Sequence, residues 1–91
     1  MEITIIGIEA EDDTLYLKLR ADLDNEAHDF RWDVFGRCFA FDCGTPWTFK
    51  NILHDNAQHP LMTWVDENVS PEISGLAHRL SARFAETRIG L

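Results

Sequence analysis

The sequence predicts an α+β domain: a four-stranded antiparallel meander in the N-terminal half, covered on one face by two or three helices from the C-terminal half. Two observations predict it. Apolar residues recur with period two up to about residue 42 and with helical spacing after it. The three X-Pro pairs, Thr45-Pro46, His59-Pro60 and Ser70-Pro71, all fall in the second half. Strands segregated from helices are the α+β pattern. With 91 residues, 45% of them apolar, and no linker or repeat, the chain reads as a single domain over 1–91.

The first strand is the least determined. Ile3, Ile5 and Gly7 alternate with Thr4, Ile6 and Ile8, so both parities are apolar and the inward face is open. Thr14–Leu23 is clearer, with Leu15, Leu17, Leu19, Ala21 and Leu23 on one side and Thr14, Tyr16, Lys18, Arg20 and Asp22 on the other. The acidic run Glu9–Asp13 between these strands is expected to be a hairpin turn. Phe30, Trp32 and Val34 alternate with Asp29, Arg31 and Asp33 as a third strand. A fourth over Arg37–Asp42 places Phe39 and Phe41 on one face.

Proline suits the first helical position, where its missing N–H would be unpaired anyway, and a preceding Thr or Ser can cap. The first helix is expected from about Pro46 to Asp55, with Trp47, Ile52 and Leu53 in the core. A second is expected near Pro60–Asn68, carrying Leu61, Trp64 and Val65 inward. Ile73, Leu76, Ala77, Leu80 and Phe84 form the stripe of a third, with Gly90 as its stop.

Charge is distributed unevenly. Residues 1–42 hold 11 Asp/Glu against four Lys/Arg, a balance of −7; residues 43–91 hold five against four, a balance of −1. The acids gather in two runs, Glu9–Asp13 and Asp22–Glu26. Such a field repels nucleic acid and anionic lipid and attracts basic surfaces. No apolar run approaches the ~20 residues that span a bilayer, and no basic, apolar leader opens the sequence, so a cytoplasmic location is expected. Two cysteines are compatible with reduced thiols.

Few patterns carry chemistry. Cys38-x4-Cys43 and His54-x4-His59 match the ligand count of a zinc site, yet each pair is five residues apart and Pro60 interrupts the second. There is no Gly-x-Ser-x-Gly elbow, and Cys43 with His54 or His28 lacks any motif context. The carboxylate pairs Asp12-Asp13 and Asp66-Glu67 fall where solvent evens out their acidity. Asp22–Glu26 lacks the central glycine and distal glutamate of a calcium loop. Phosphate-cradling glycine motifs are absent. Arg79, Arg83 and Arg88 form one basic cluster.

The reading that follows is a non-enzymatic acidic interaction module without a cofactor. It is expected to inhibit or regulate a basic, nucleic-acid-binding protein through Glu9, Glu11, Asp12, Asp13, Asp22, Asp24 and Glu26, without touching nucleic acid or membrane itself. Accessory proteins of phages and mobile elements share that size and charge. The alternative is a small zinc- or ligand-binding domain using Cys38, Cys43, His54 and His59. A homodimer is expected through the apolar edge of the N-terminal strand, Ile3–Ile8.

Overall fold

The computed structural model describes residues 2–11, 13–69, 84 and 86–90. It is α+β, with an antiparallel sheet of five strands and two helices among the described residues. The strands are β1 (Glu2–Glu11), β2 (Thr14–Leu23), β3 (Glu26–Asp33), β4 (Cys38–Ala40) and β5 (Arg88–Gly90), in the order β4-β3-β2-β1-β5. The helices are α1 (Trp47–Asn56) and α2 (Gln58–Asn68).

Both faces of the first strand are apolar because β1 changes parity midway. Ile3 lies opposite Ala21 and Ile5 opposite Leu19, but Gly7 lies opposite Lys18 and Ile8 opposite Leu17. One extra residue, Ile6, therefore sits in β1 as a bulge. Before it Ile3 and Ile5 face inward and are fully buried; after it Ile8 packs against the same core from the opposite parity. Ile6 is left 40% exposed on the outer face.

The turns are fixed by local chemistry. Asp24 and Asn25 join β2 to β3 at φ 53° and 64°, a two-residue left-handed hairpin that suits these two residue types. After β3 the Asp33 carboxylate accepts the N–H of Phe35 at 3.0 Å and of Gly36 at 2.8 Å. A Cβ at position 36 would lie 2.7 Å from Asp33 Oδ2, so any larger residue there would have to displace the carboxylate that holds the turn. Arg37 follows at φ 55° and is not extended, which is why β4 starts at Cys38 rather than Arg37.

Gly90, expected to stop a helix, lies in a strand instead. The chain reverses at Glu86 (φ 61°), whose N–H donates to the Ile5 carbonyl at 3.1 Å; the Ile5 N–H donates to the Thr87 carbonyl at 2.8 Å. β5 then sets Ile89 opposite Ile3 and occupies the outer edge of β1 over Glu2–Thr4. The open N-terminal edge expected from the sequence is thus taken over that stretch. Ile73, Leu76, Ala77 and Leu80 of the expected third helix, with Arg79 and Arg83, lie outside the described residues. Phe84 is buried, with its ring 5.3 Å from Trp64.

Pro46 precedes α1 as its cap residue, with no side-chain cap bond. The second helix starts at Gln58, two residues before Pro60, which sits in the first turn where helical N–H groups have no partner. Ala57 joins the two helices. Phe49, Leu53, Ala57, Leu61, Val65 and Val69 follow one another at intervals of four, and all are buried. They share one core with Leu15, Leu17, Leu19, Phe30 and Trp32 of the sheet. Trp47, two residues before Phe49, points away from that stripe and is 76% exposed, contrary to its expected place in the core. Leu53→Ala should therefore cost about 2–5 kcal/mol in chemical denaturation, and Trp47→Ala about 0.5 kcal/mol or less.

Candidate functional site

The acids that dominate the sequence can be followed individually onto the sheet. Glu9 and Glu11 are not in a turn: they belong to β1, opposite Tyr16 and Thr14, because the bulge carries these positions to the outer face. Arg31 of β3 reaches both. Its Nη1 lies 3.6 Å from Glu9 Oε1 and 3.3 Å from Glu11 Oε2, while its guanidinium rests 4.3 Å from the centre of the Tyr16 ring. Asp13 is exposed in the turn that follows, and Asp12 lies outside the described residues.

The second run takes a different form. Asp22 is near the end of β2, Asp24 is in the left-handed turn, and Glu26 opens β3 opposite Leu23. All three are exposed. Among the described residues no Lys or Arg lies within ion-pair distance of them; His28 Nε2 is 3.9 Å from Glu26 Oε2. His28 itself packs against Phe49, ring centres 4.7 Å apart. Ten-residue β2 separates the two runs, a span of about 30 Å at strand rise. The structure therefore places the candidate partner-binding residues at opposite ends of the sheet rather than in one patch.

Between them the outer face is laced with ion pairs. Arg20 and Asp29 stand directly opposite in the register and meet bidentately, Nε to Oδ1 at 2.7 Å and Nη2 to Oδ2 at 3.0 Å. The hydrogen bond from Arg20 holds the Asp29 carboxyl below its ordinary value of 3.8, against a smaller opposing effect of burial. Arg88 Nε lies 3.7 Å from Glu2 Oε1. Away from this face, Arg37 pairs bidentately with Asp66 at 2.9 and 3.0 Å, tying the β3–β4 turn to α2. Two shallow hollows flank Ile6: one of about 340 Å³ includes Glu9, Lys18, Arg31 and Asp42, and one of about 360 Å³ includes Arg20, Glu86 and Arg88. A third, of about 500 Å³, lies between α2 and β5 and includes His59, Trp64 and Glu67.

The cysteine–histidine set is not brought together. Cys38 is exposed on β4 and Cys43 in the loop beyond it. His54 projects from α1 edge-on to Phe39 and Phe41, and His59 lies by the hollow at α2. No three His, Cys, Asp or Glu side chains among the described residues form a group that could hold a metal. No helix among the described residues is long and apolar enough to cross a membrane. Comparison with known proteins finds no family model, no curated protein and no solved structure that matches the chain.

Sequence reasoning missed Arg31 as the residue that pairs with Glu9 and Glu11 of the first acidic run, and no local signal identifies it, since the pairing crosses two strands. It also missed the exposure of Trp47. The bulge had a signal: apolar residues at both parities around a glycine.

The Arg20–Asp29 pair yields a pH prediction. Because the Asp29 carboxyl titrates below 3.8 in the folded chain, its contribution to stability is complete above that value and is lost as pH falls through the lower folded one. Thermal melts of Asp29→Asn should lie below wild type at neutral pH, and the gap should close below about pH 3.8. The gap should be small, since the two side chains are 50% and 53% exposed.

Proposed function

We propose that this chain is a non-enzymatic acidic interaction module that engages a basic, nucleic-acid-binding protein as an inhibitor or regulator, with Asp22, Asp24 and Glu26 as its principal contact. One observation carries the reading. These three carboxylates share a tight hairpin end and are exposed, with no Lys or Arg of the described residues in ion-pair range, whereas Glu9 and Glu11 are engaged by Arg31. A basic partner would meet, at the first end, carboxylates with no Lys or Arg of the described residues in ion-pair range, only the more distant field of Arg20 on Asp22, and would have to displace Arg31 at the other. Asp13 extends the second end with no cation partner among the described residues, and with Glu9 and Glu11 makes a weaker, secondary contact.

The left-handed turn supports the reading further. Asp24 and Asn25 allow the hairpin to close in two residues, so the carboxylates are presented from paired strands rather than from a loop that must be ordered on binding. The field of such a cluster accelerates association with a cationic surface and weakens with salt.

The test is binding of a lysine- and arginine-rich peptide, measured by fluorescence anisotropy across a salt titration. The combination Asp22→Lys, Asp24→Asn, Glu26→Lys keeps a residue that tolerates the left-handed turn at position 24. It should weaken binding about tenfold or more, equivalent to about 1.4 kcal/mol, with little change in melting temperature. Glu9→Gln with Glu11→Gln should weaken it about twofold at most, since these charges are already screened by Arg31. Undiminished binding by the triple variant would remove the hairpin from the account.

A further inference from the structure

We infer that β4 is a pairing edge for a second copy of this chain, joining two sheets into one across a two-fold axis at Ala40. β4 is the outermost strand on its side of the sheet, and no described strand lies beyond it. Edges of this kind are normally blunted by shortness, lysine, proline or a bulge. β4 is short, at three residues, but Cys38-Phe39-Ala40 carries no lysine, proline or bulge.

What lies under the edge is aromatic. Phe39 faces the core side opposite Trp32, and Phe41 stacks on it at 5.4 Å with planes 19° apart. The α1 residues Lys50 and His54 rest on these rings, Lys50 Nζ 5.6 Å from Phe41 and the His54 ring 5.2 Å from Phe39. Trp47 continues the same helical face and stands 76% exposed, with Lys50 Nζ 5.8 Å from its ring. A strip of rings thus runs to the open side of the sheet and stops there.

The pattern of this strip selects a second copy as the occupant. Continuing the sheet requires core-side residues to meet core-side residues. An antiparallel pairing centred on Ala40 does so once the strand is continued over Phe41 and Asp42, which lie just beyond β4: Ala40 meets Ala40 of the second copy, and Phe39 meets its Phe41 on either side of the axis. Such cross-strand aromatic pairs are favourable. Asp42 falls opposite Cys38, so the like charges stay apart. Although the chain carries −8 overall, the residues that would meet at the axis, Phe39, Ala40 and Phe41, are uncharged, and the strip of rings carries the cation Lys50. Pairing of β4 with β5 of another copy would propagate without closing, whereas two β4 edges close on each other. This surface is separate from the acidic hairpin end, so neither reading depends on the other.

The experiment is native mass spectrometry with sedimentation over a dilution series. Wild type should run at twice the 10.5 kDa chain mass in the micromolar range. Ala40→Glu sets two carboxylates face to face at the axis from a position on the solvent face of the sheet. It should raise the dimer dissociation constant at least tenfold while leaving the circular dichroism melt unchanged. Ala40→Cys in a Cys38→Ser, Cys43→Ser background should cross-link into a dimer on mild oxidation, which reads the register directly. A wild type that stays monomeric at high micromolar concentration would overturn the inference. So would a dimer indifferent to Ala40→Glu, or an Ala40→Cys variant that dimerises without cross-linking.

Discussion

A strand that must bury Ile3 and Ile5 near its start and Ile8 further on cannot do so with an unbroken two-residue period. The extra residue at Ile6 resolves the conflict. Had the alternation continued, Gly7, Glu9 and Glu11 would follow Ile5 onto the core side, and two carboxylates would be buried without partners. Burying an unpaired charge costs several kcal/mol or forces it to neutralise. A bulge sacrifices local ladder bonding worth about 1 kcal/mol per bond. The bulge is the cheaper arrangement by a wide margin, and the register of β1 against β2 follows from it.

The distribution of charge depends on that register. With Glu9 and Glu11 on the outer face, Arg31 can lie over Tyr16 and reach both. Arg20 and Asp29 pair directly across from each other one row further along the sheet. The outer face becomes a network of compensated ions, although the half of the chain that builds it carries a balance of −7. Among the described residues Asp22, Asp24 and Glu26 at the β2–β3 hairpin have no Lys or Arg in ion-pair range, and Asp13 at the opposite end has none either. The interaction reading rests on the cluster of three at the hairpin. The aromatic strip beside β4 has a different origin: α1 is anchored through Phe49 and Leu53, which leaves Trp47, Lys50 and His54 facing the open side of the sheet.

Much of the framework was legible in the sequence. The alternation over Thr14–Leu23 marks β2 with the bounds it has in the structure, and segregation of strands from helices gives the α+β class. β5 was not legible because three residues are too few for a period, and their partner lies at the other end of the chain. Trp47 was misassigned because size and apolarity speak for burial, whereas its position relative to the Phe49–Leu53–Ala57 stripe decides it. The acidic runs were visible as composition. Which carboxylates remain available was not, because neutralisation by Arg31 depends on which strands become neighbours and on the one-residue shift that sets their faces.

The bulge can be examined directly by backbone NMR, through cross-strand nuclear Overhauser contacts between β1 and β2. The account requires Ile5 opposite Leu19 and Ile8 opposite Leu17, a one-residue change of register within four positions. Contacts placing Ile8 opposite Tyr16, as an unbroken register from Ile5 demands, would contradict it. The assignment of Glu9 and Glu11 to the outer face, and with it the location of free charge, would then fall.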